Sequence, residues 1–177
     1  MNITVYLGSN DGRDPALKKA VRELGYWIGR NHHTLIYGGS KRGLMGELAE
    51  SVLMAGGKVI GVEPQFFLDM GFDYDEITQL IPVKDMSERK AKMIELGDAF
   101  IAFPGGTGTL EEISEIMSKI VLGHLDAPCI VYNLNGYYDD LCRLLNHMVE
   151  MELASEESLQ GVTFAGSLDE IARILDA

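Results

Sequence analysis

The chain has 177 residues, enough for one domain with a real hydrophobic core, and its composition is that of an ordinary globular protein without low-complexity segments. A formal net charge of −12 argues against a general nucleic-acid or anionic-membrane surface, because both call for excess Lys and Arg. No apolar run approaches the ~20 residues of a membrane span.

The N-terminus, Met1-Asn2-Ile3-Thr4-Val5-Tyr6-Leu7, enters a strand pattern directly and carries no basic leader region. Ile3–Leu7 reads as a buried strand ending at Gly8-Ser9-Asn10. Asp14-Pro15 has the form of an N-cap followed by proline at the first helical position. The helix should run to about Arg30, with Leu17, Val21, Leu24 and Ile28 on one face. A second strand, Thr34–Tyr37, leads through Gly38-Gly39-Ser40-Lys41-Arg42-Gly43-Leu44-Met45-Gly46 into a helix ending near Ala55, and Lys58–Val62 is a third strand. Between Glu63 and Phe72 the pattern is irregular and fits a short helix or a lid. Ile77–Val83 reads as a fourth strand that Pro82 keeps short.

The second half continues the alternation. A helix from Asp85 to Leu96, a strand Ala99–Phe103, a helix Thr109–Leu122, a strand Cys129–Tyr132 and a helix Tyr137–Met151 are expected. A short strand Val162–Phe164 and a helix from about Leu168 close the chain. This spacing predicts an α/β fold, a single Rossmann-like domain over residues 1–177, with a mainly parallel sheet covered by helices on both faces. Cys129 and Cys142 show no metal or redox spacing, so two reduced core thiols in a cytoplasmic protein are expected.

Ligands of such sheets sit beyond the C-terminal strand ends. Three glycine-bearing loops would open there: Gly8-Ser9, Gly38-Gly39-Ser40 and Gly105-Gly106-Thr107-Gly108. None matches GxGxxG after the first strand, and GxxxxGK[ST] is absent, which disfavours a dinucleotide cofactor and ATP hydrolysis. The stretch Pro104–Thr109 is the one full phosphate cradle: glycines and threonines between strand and helix offer backbone N–H groups at a helix N-terminus. A nucleoside monophosphate therefore fits better than a dinucleotide, and no cofactor is expected.

Two charged positions stand out. On the helix from Asp85, Arg89 and Lys90 fall inside the apolar arc of Met86, Met93, Ile94 and Leu96. Either both snorkel past the methionines to water, or an anion compensates Arg89. On the next helix Glu112 lies at the edge of the arc of Leu110, Ile113, Ile116, Met117 and Ile120, while Glu111 faces away with Ser118. Glu112 either closes a capping box with Thr109 or points into the cleft beside the phosphate cradle. His32-His33, His124 and His147 have no ligand spacing, Glu150–Glu157 reads as a solvated helix end, and no Ser-His-Asp set or metal cluster is visible.

At these residues the chain resembles the Lonely Guy (LOG) family, the cytokinin riboside 5′-monophosphate phosphoribohydrolases long mislabelled as possible lysine decarboxylases. The family motif PGGxGTxxE appears as Pro104 to Glu112 and the MxxRK element as Met86-Ser87-Glu88-Arg89-Lys90. Tyr37-Gly38-Gly39 and Gly43-Leu44-Met45-Gly46 match as well. The resemblance implies a homodimer that cleaves the N-glycosidic bond of an N6-substituted AMP to free base and ribose 5-phosphate. It makes Arg89 and Glu112 the catalytic pair and Gly105, Gly106, Thr107, Gly108 and Thr109 the phosphate loop. Ser9, Lys90, Glu111 and Ser118 are the further substrate-binding positions. Ser87 stands where plant members have a histidine, and Glu63-Pro64-Gln65-Phe66-Phe67 replaces the usual proline-lysine stretch, with Asp69 a loose match for the acid that follows. A broader purine monophosphate hydrolase and a non-catalytic nucleotide or cofactor carrier are the alternatives. A pyridoxal-dependent decarboxylase is disfavoured, since no lysine sits in an evident aldimine context.

Overall fold

The computed structural model describes residues 1–71 and 76–176; Phe72, at the end of the irregular stretch, lies outside them. The first half contains β1 (Asn2–Tyr6), α1 (Pro15–Arg30), β2 (Thr34–Tyr37), α2 (Gly43–Met54), β3 (Lys58–Pro64), α3 (Gln65–Asp69) and β4 (Gln79–Val83). The second contains α4 (Met86–Leu96), β5 (Ala99–Ala102), α5 (Thr107–Val121), β6 (Cys129–Tyr132), α6 (Asp139–Glu150), α7 (Glu156–Leu159), β7 (Val162–Ala165) and α8 (Leu168–Leu175). The seven strands form one parallel sheet in the order β4-β3-β2-β1-β5-β6-β7. The Rossmann-like α/β architecture expected from the alternation is what the chain adopts.

Both faces of the sheet are covered, so the central strands are apolar on both sides. Ile3, Val5, Leu35 and Ile101 pack with Val21, Leu24 and Ile28 of α1, Leu48 and Val52 of α2, and Ile171 and Leu175 of α8. Tyr6, Ile36, Val62, Phe100 and Val131 pack on the other face with Met93 of α4 and Ile113 and Ile116 of α5. Local signals set the helix starts where side chains can cap. Asp14 accepts from the Ala16 N–H with Pro15 behind it, and Asp85 accepts from the Glu88 N–H at 3.0 Å. Pro82 lies in β4, an edge strand that pairs with β3 alone, where a residue without an N–H is tolerated. Cys129 is buried, and burial pushes its thiol up to about 12; Cys142 is only half-buried on α6, not the core thiol expected.

The irregular stretch resolves into two parts. β3 extends two residues past the predicted end, to Pro64, and α3 is the short helix. Two further boundaries move. α2 begins at Gly43, inside the predicted loop, and α6 begins at Asp139 after a 3₁₀ turn at Leu134–Gly136. Gly43 has a φ of 52°, and a Cβ there would run into the Ser9 backbone, so a glycine locks the β2–α2 loop onto the β1 loop.

The chain steps outward from β1 through β2, β3 and β4, then returns to the other side of β1 with β5. The gap between β1 and β5 is therefore the switch point, where the loops after those two strands part and leave a crevice.

Candidate active site

The β1 loop, the β5–α5 turn and the start of α4 meet at that crevice. They enclose a cleft of about 340 Å³ lined by Ser9, Asn10, Met45, Met86, Arg89, Lys90, Gly106, Thr107, Gly108, Thr109, Glu111 and Glu112. Most of the positions singled out in the sequence are brought together here.

α5 starts two residues earlier than the sequence pattern suggested. Its N-cap is Gly106, which has no side chain to satisfy the first turn, and the first N–H taken up within the helix is that of Leu110, on the Gly106 carbonyl at 3.1 Å. The N–H groups of Gly106, Thr107, Gly108 and Thr109 therefore remain available at the positive end of the helix dipole. Gly105 sits behind this turn. A Cβ on it would lie 3.0 Å from the Gly8 nitrogen and collide with the Thr109 side chain, so glycine lets the two loops touch.

The early start removes the capping-box reading of Glu112. Thr109 is the third residue of the helix instead of its cap, and Glu112 stands nearly a turn beyond it, buried, on the wall of the cleft. Arg89 does not snorkel either. Its guanidinium is buried and held from three sides: Nε donates to the Val62 carbonyl at 3.0 Å, one terminal nitrogen donates to the Gly38 carbonyl at 3.1 Å, and Nη1 lies 3.6 Å from Glu112 Oε1. A Cβ at Gly38 would occupy the place of that terminal nitrogen, which explains glycine at the end of β2.

Burial and the ion pair oppose one another at Glu112. The carboxyl pKa is raised to about 7 on balance: loss of water raises it most, Arg89 pulls it down, Glu111 pushes it up and Lys90 pulls it down. Burial wins, leaving an acid poised to hold or release a proton near neutrality. Burial and the Glu112 charge together push the Tyr6 phenol, on the adjoining face of the sheet, far above its ordinary value.

Lys90 reaches across to α5, with Nζ 2.6 Å from Glu111 Oε1 and 3.4 Å from Glu115 Oε2. The hydrogen bond to Glu111 holds the ammonium above its ordinary pKa. Ser118 is not brought to the cleft: it lies exposed about three turns along α5 and donates to the Ser114 carbonyl at 2.9 Å.

Sequence reasoning passed over Met45 and Asn10 on the cleft walls and the tyrosine pair just ahead of α6. Tyr137 donates to the Gly105 carbonyl at 2.6 Å and the buried Tyr138 to the Phe103 carbonyl at 2.9 Å. Contacts spanning more than 30 residues leave no local pattern. On the far side of the phosphate turn a second cavity of about 390 Å³ is lined by Gly8, Asn10, Arg13, Asp14, Gly105, Asn135 and Tyr137 among others. No group of three or more His, Cys, Asp or Glu side chains among the described residues is placed to hold a metal.

Residues 45–175 match the family model described as "Possible lysine decarboxylase", the older label of the LOG proteins. The chain belongs to the LOG family. A cytokinin riboside 5′-monophosphate phosphoribohydrolase of Rhodococcoides fascians is 42% identical over 147 residues, covering 82% of this chain and 74% of that one. An Arabidopsis thaliana protein of the same name is 36% identical over 174 residues, covering 98% and 82%. A probable one from Oryza sativa subsp. japonica is 35% identical over 175 residues, covering 99% and 70%. Among solved structures, the molybdenum cofactor binding protein from Rippkaea orientalis superposes with a TM-score of 0.74 at 22% identity, covering 99% of this chain and 94% of that one. The molybdenum cofactor carrier protein from Chlamydomonas reinhardtii gives 0.71 at 18%, covering 99% and 95%. These two likenesses concern the fold.

Proposed function

We propose that this LOG-family chain is a phosphoribohydrolase that cleaves the N-glycosidic bond of AMP or an N6-substituted AMP, releasing free base and ribose 5-phosphate. The observation that carries the reading is the buried Arg89–Glu112 pair set beside a phosphate-sized ring of N–H groups. A carrier needs the ring but gains nothing from a carboxylate near it, which would repel an anionic ligand.

Glycosidic cleavage passes through a state in which positive charge grows on the anomeric carbon. In this reading the N–H groups of Gly106 to Thr109 hold the 5′-phosphate and thereby fix the ribose against the cleft wall. Glu112 as carboxylate opposes the developing charge or takes a proton from the attacking water. Arg89, anchored by two backbone carbonyls, orients Glu112 and the sugar. Ser9 lines the same wall as the ribose path, and the Lys90–Glu111 bridge closes the rim. Positioning through the remote phosphate can lower the barrier by several kcal/mol.

The decarboxylase label does not fit these residues. Lysine chemistry on a pyridoxal cofactor needs an ammonium with a depressed pKa, whereas Lys90, the lysine on the cleft wall, is held up by Glu111 and Glu115. A nucleotide or cofactor carrier is the second reading, favoured by the 390 Å³ cavity beside the turn. Incubation with AMP and with isopentenyl-AMP, followed by chromatography of the free base, separates them: release from neither supports the carrier. Glu112→Gln should bind AMP as before and lose hydrolysis by roughly 10²-fold or more; full turnover by that variant sinks the assignment. A homodimer in the cytoplasm completes the proposal, with Ser118 assigned to substrate binding only if a second subunit brings it to a cleft.

A further inference from the structure

We propose that Tyr137 is a positioning residue for the phosphate turn: its hydroxyl, bound to the Gly105 carbonyl, turns the Gly106 N–H toward the ligand phosphate. The inference rests on the reading of that turn as the phosphate site. The argument is one of peptide geometry. No peptide bond among the described residues is cis, so the C=O of Gly105 and the N–H of Gly106, which share one planar unit, point in opposite directions. Tyr137 fixes the carbonyl at 2.6 Å on the side of the second cavity, which Gly105 and Tyr137 both line. The N–H therefore points away from Tyr137; Gly106 borders both cavities, and the three residues that follow it, Thr107, Gly108 and Thr109, line the cleft and not the second cavity. A hydrogen bond received at the carbonyl also polarises the peptide and strengthens its N–H as a donor.

The neighbouring tyrosine supplies an internal contrast. Tyr138 makes the same kind of bond, 2.9 Å to the Phe103 carbonyl, with its ring buried. The peptide unit it grips is Phe103–Pro104, and proline has no N–H to aim. Tyr138 therefore holds the strand end in place, whereas Tyr137 shapes a donor. Tyr137 is half exposed, so removal of its hydroxyl leaves the core intact.

The test measures dissociation constants for AMP and for adenosine, which differ by the phosphate, by calorimetry on proteins that all carry Glu112→Gln so that AMP is not consumed, one otherwise wild type, one with Tyr137→Phe and one with Tyr138→Phe, with Tm recorded for each. Tyr137→Phe should weaken AMP about three- to tenfold, leave adenosine unchanged and keep its Tm. Tyr138→Phe should lower the Tm and leave the AMP-to-adenosine ratio as in Glu112→Gln alone; if it does not fold, the Tyr137→Phe ratio decides alone. Equal weakening of both ligands in Tyr137→Phe, no weakening of either, or the same ratio change in both variants overturns the proposal. A Glu112→Gln protein, otherwise wild type, that binds AMP no better than adenosine overturns it too. AMP binding here without base release by wild type counts against the hydrolase reading only, so the two outcomes stay separate.

Discussion

Glu112 is a carboxyl that ordinarily titrates at 4.5 and here titrates at about 7. Between those values the folded protein binds more protons than the unfolded chain, so the contribution of Glu112 to stability is present below the lower value. It falls as pH rises through the window and is lost above about 7. Glu112→Gln removes this titration. The Tm of that variant minus the Tm of wild type should therefore grow by several degrees from about pH 5 to about pH 8; a difference that stays flat contradicts a titrating buried carboxyl. In the free enzyme the carboxylate gains ground over the same window, so kcat/KM for AMP should rise with pH through about 7 and then level off. At this scale the sequence showed two charges inside apolar arcs, which is a visible anomaly. It could not separate capping or snorkelling from a buried pair, because that depends on which backbone carbonyls surround Arg89, and those come from Gly38, just past β2, and Val62 of β3.

The turn between β5 and α5 has three glycines with different work. Gly105 is packed against Gly8 and Thr109, whereas a Cβ on Gly106 or Gly108 meets nothing within 4 Å. Gly105→Ala should lower both Tm and AMP affinity, since backbone would have to move. Gly108→Ala lies within the first turn of α5, where alanine is favoured over glycine by up to about 1 kcal/mol. It should keep or raise the Tm while its methyl, pointing into open cleft, weakens AMP binding tenfold or more. Calorimetric titration beside thermal melts checks both; a Gly108→Ala protein that binds AMP normally removes the phosphate from this turn. The sequence identified the glycine-rich turn but placed the helix start at Thr109. Thr109 with Glu112 imitates a capping box, and the actual cap, Gly106, carries no side-chain signal.

Half of the large exposed apolar side chains among the described residues lie on α5, on α6 or just past their ends. Leu110, Val121 and Leu122 of α5 and its end are 43%, 52% and 66% exposed, and Leu144, Met151 and Leu153 around the end of α6 are 51%, 58% and 81% exposed. Exposed apolar side chains of this size suit a partner surface. If α5 supplies the proposed dimer contact, light scattering after gel filtration should give the mass of two chains for wild type. Leu122→Asp should then run as one chain with an unchanged circular dichroism spectrum. A wild-type monomer at micromolar concentration would remove the dimer.

The order and type of elements were written in the sequence, because strand and helix periods, the Asp14 and Asp85 caps and the strand-limiting Pro82 are local properties that burial then reinforced. So were the glycine-rich turn after β5 and the charged residues, which stand out as misplaced in their own helices. The tertiary structure decided what those residues do to one another. Parallel crossovers carry the ends of β1 and β5 to one crevice. Glycines without a Cβ let the loops touch, and burial outweighs a neighbouring arginine at Glu112. The Tyr137–Gly105 bond joins residues 32 positions apart, and only folding gives that spacing a meaning.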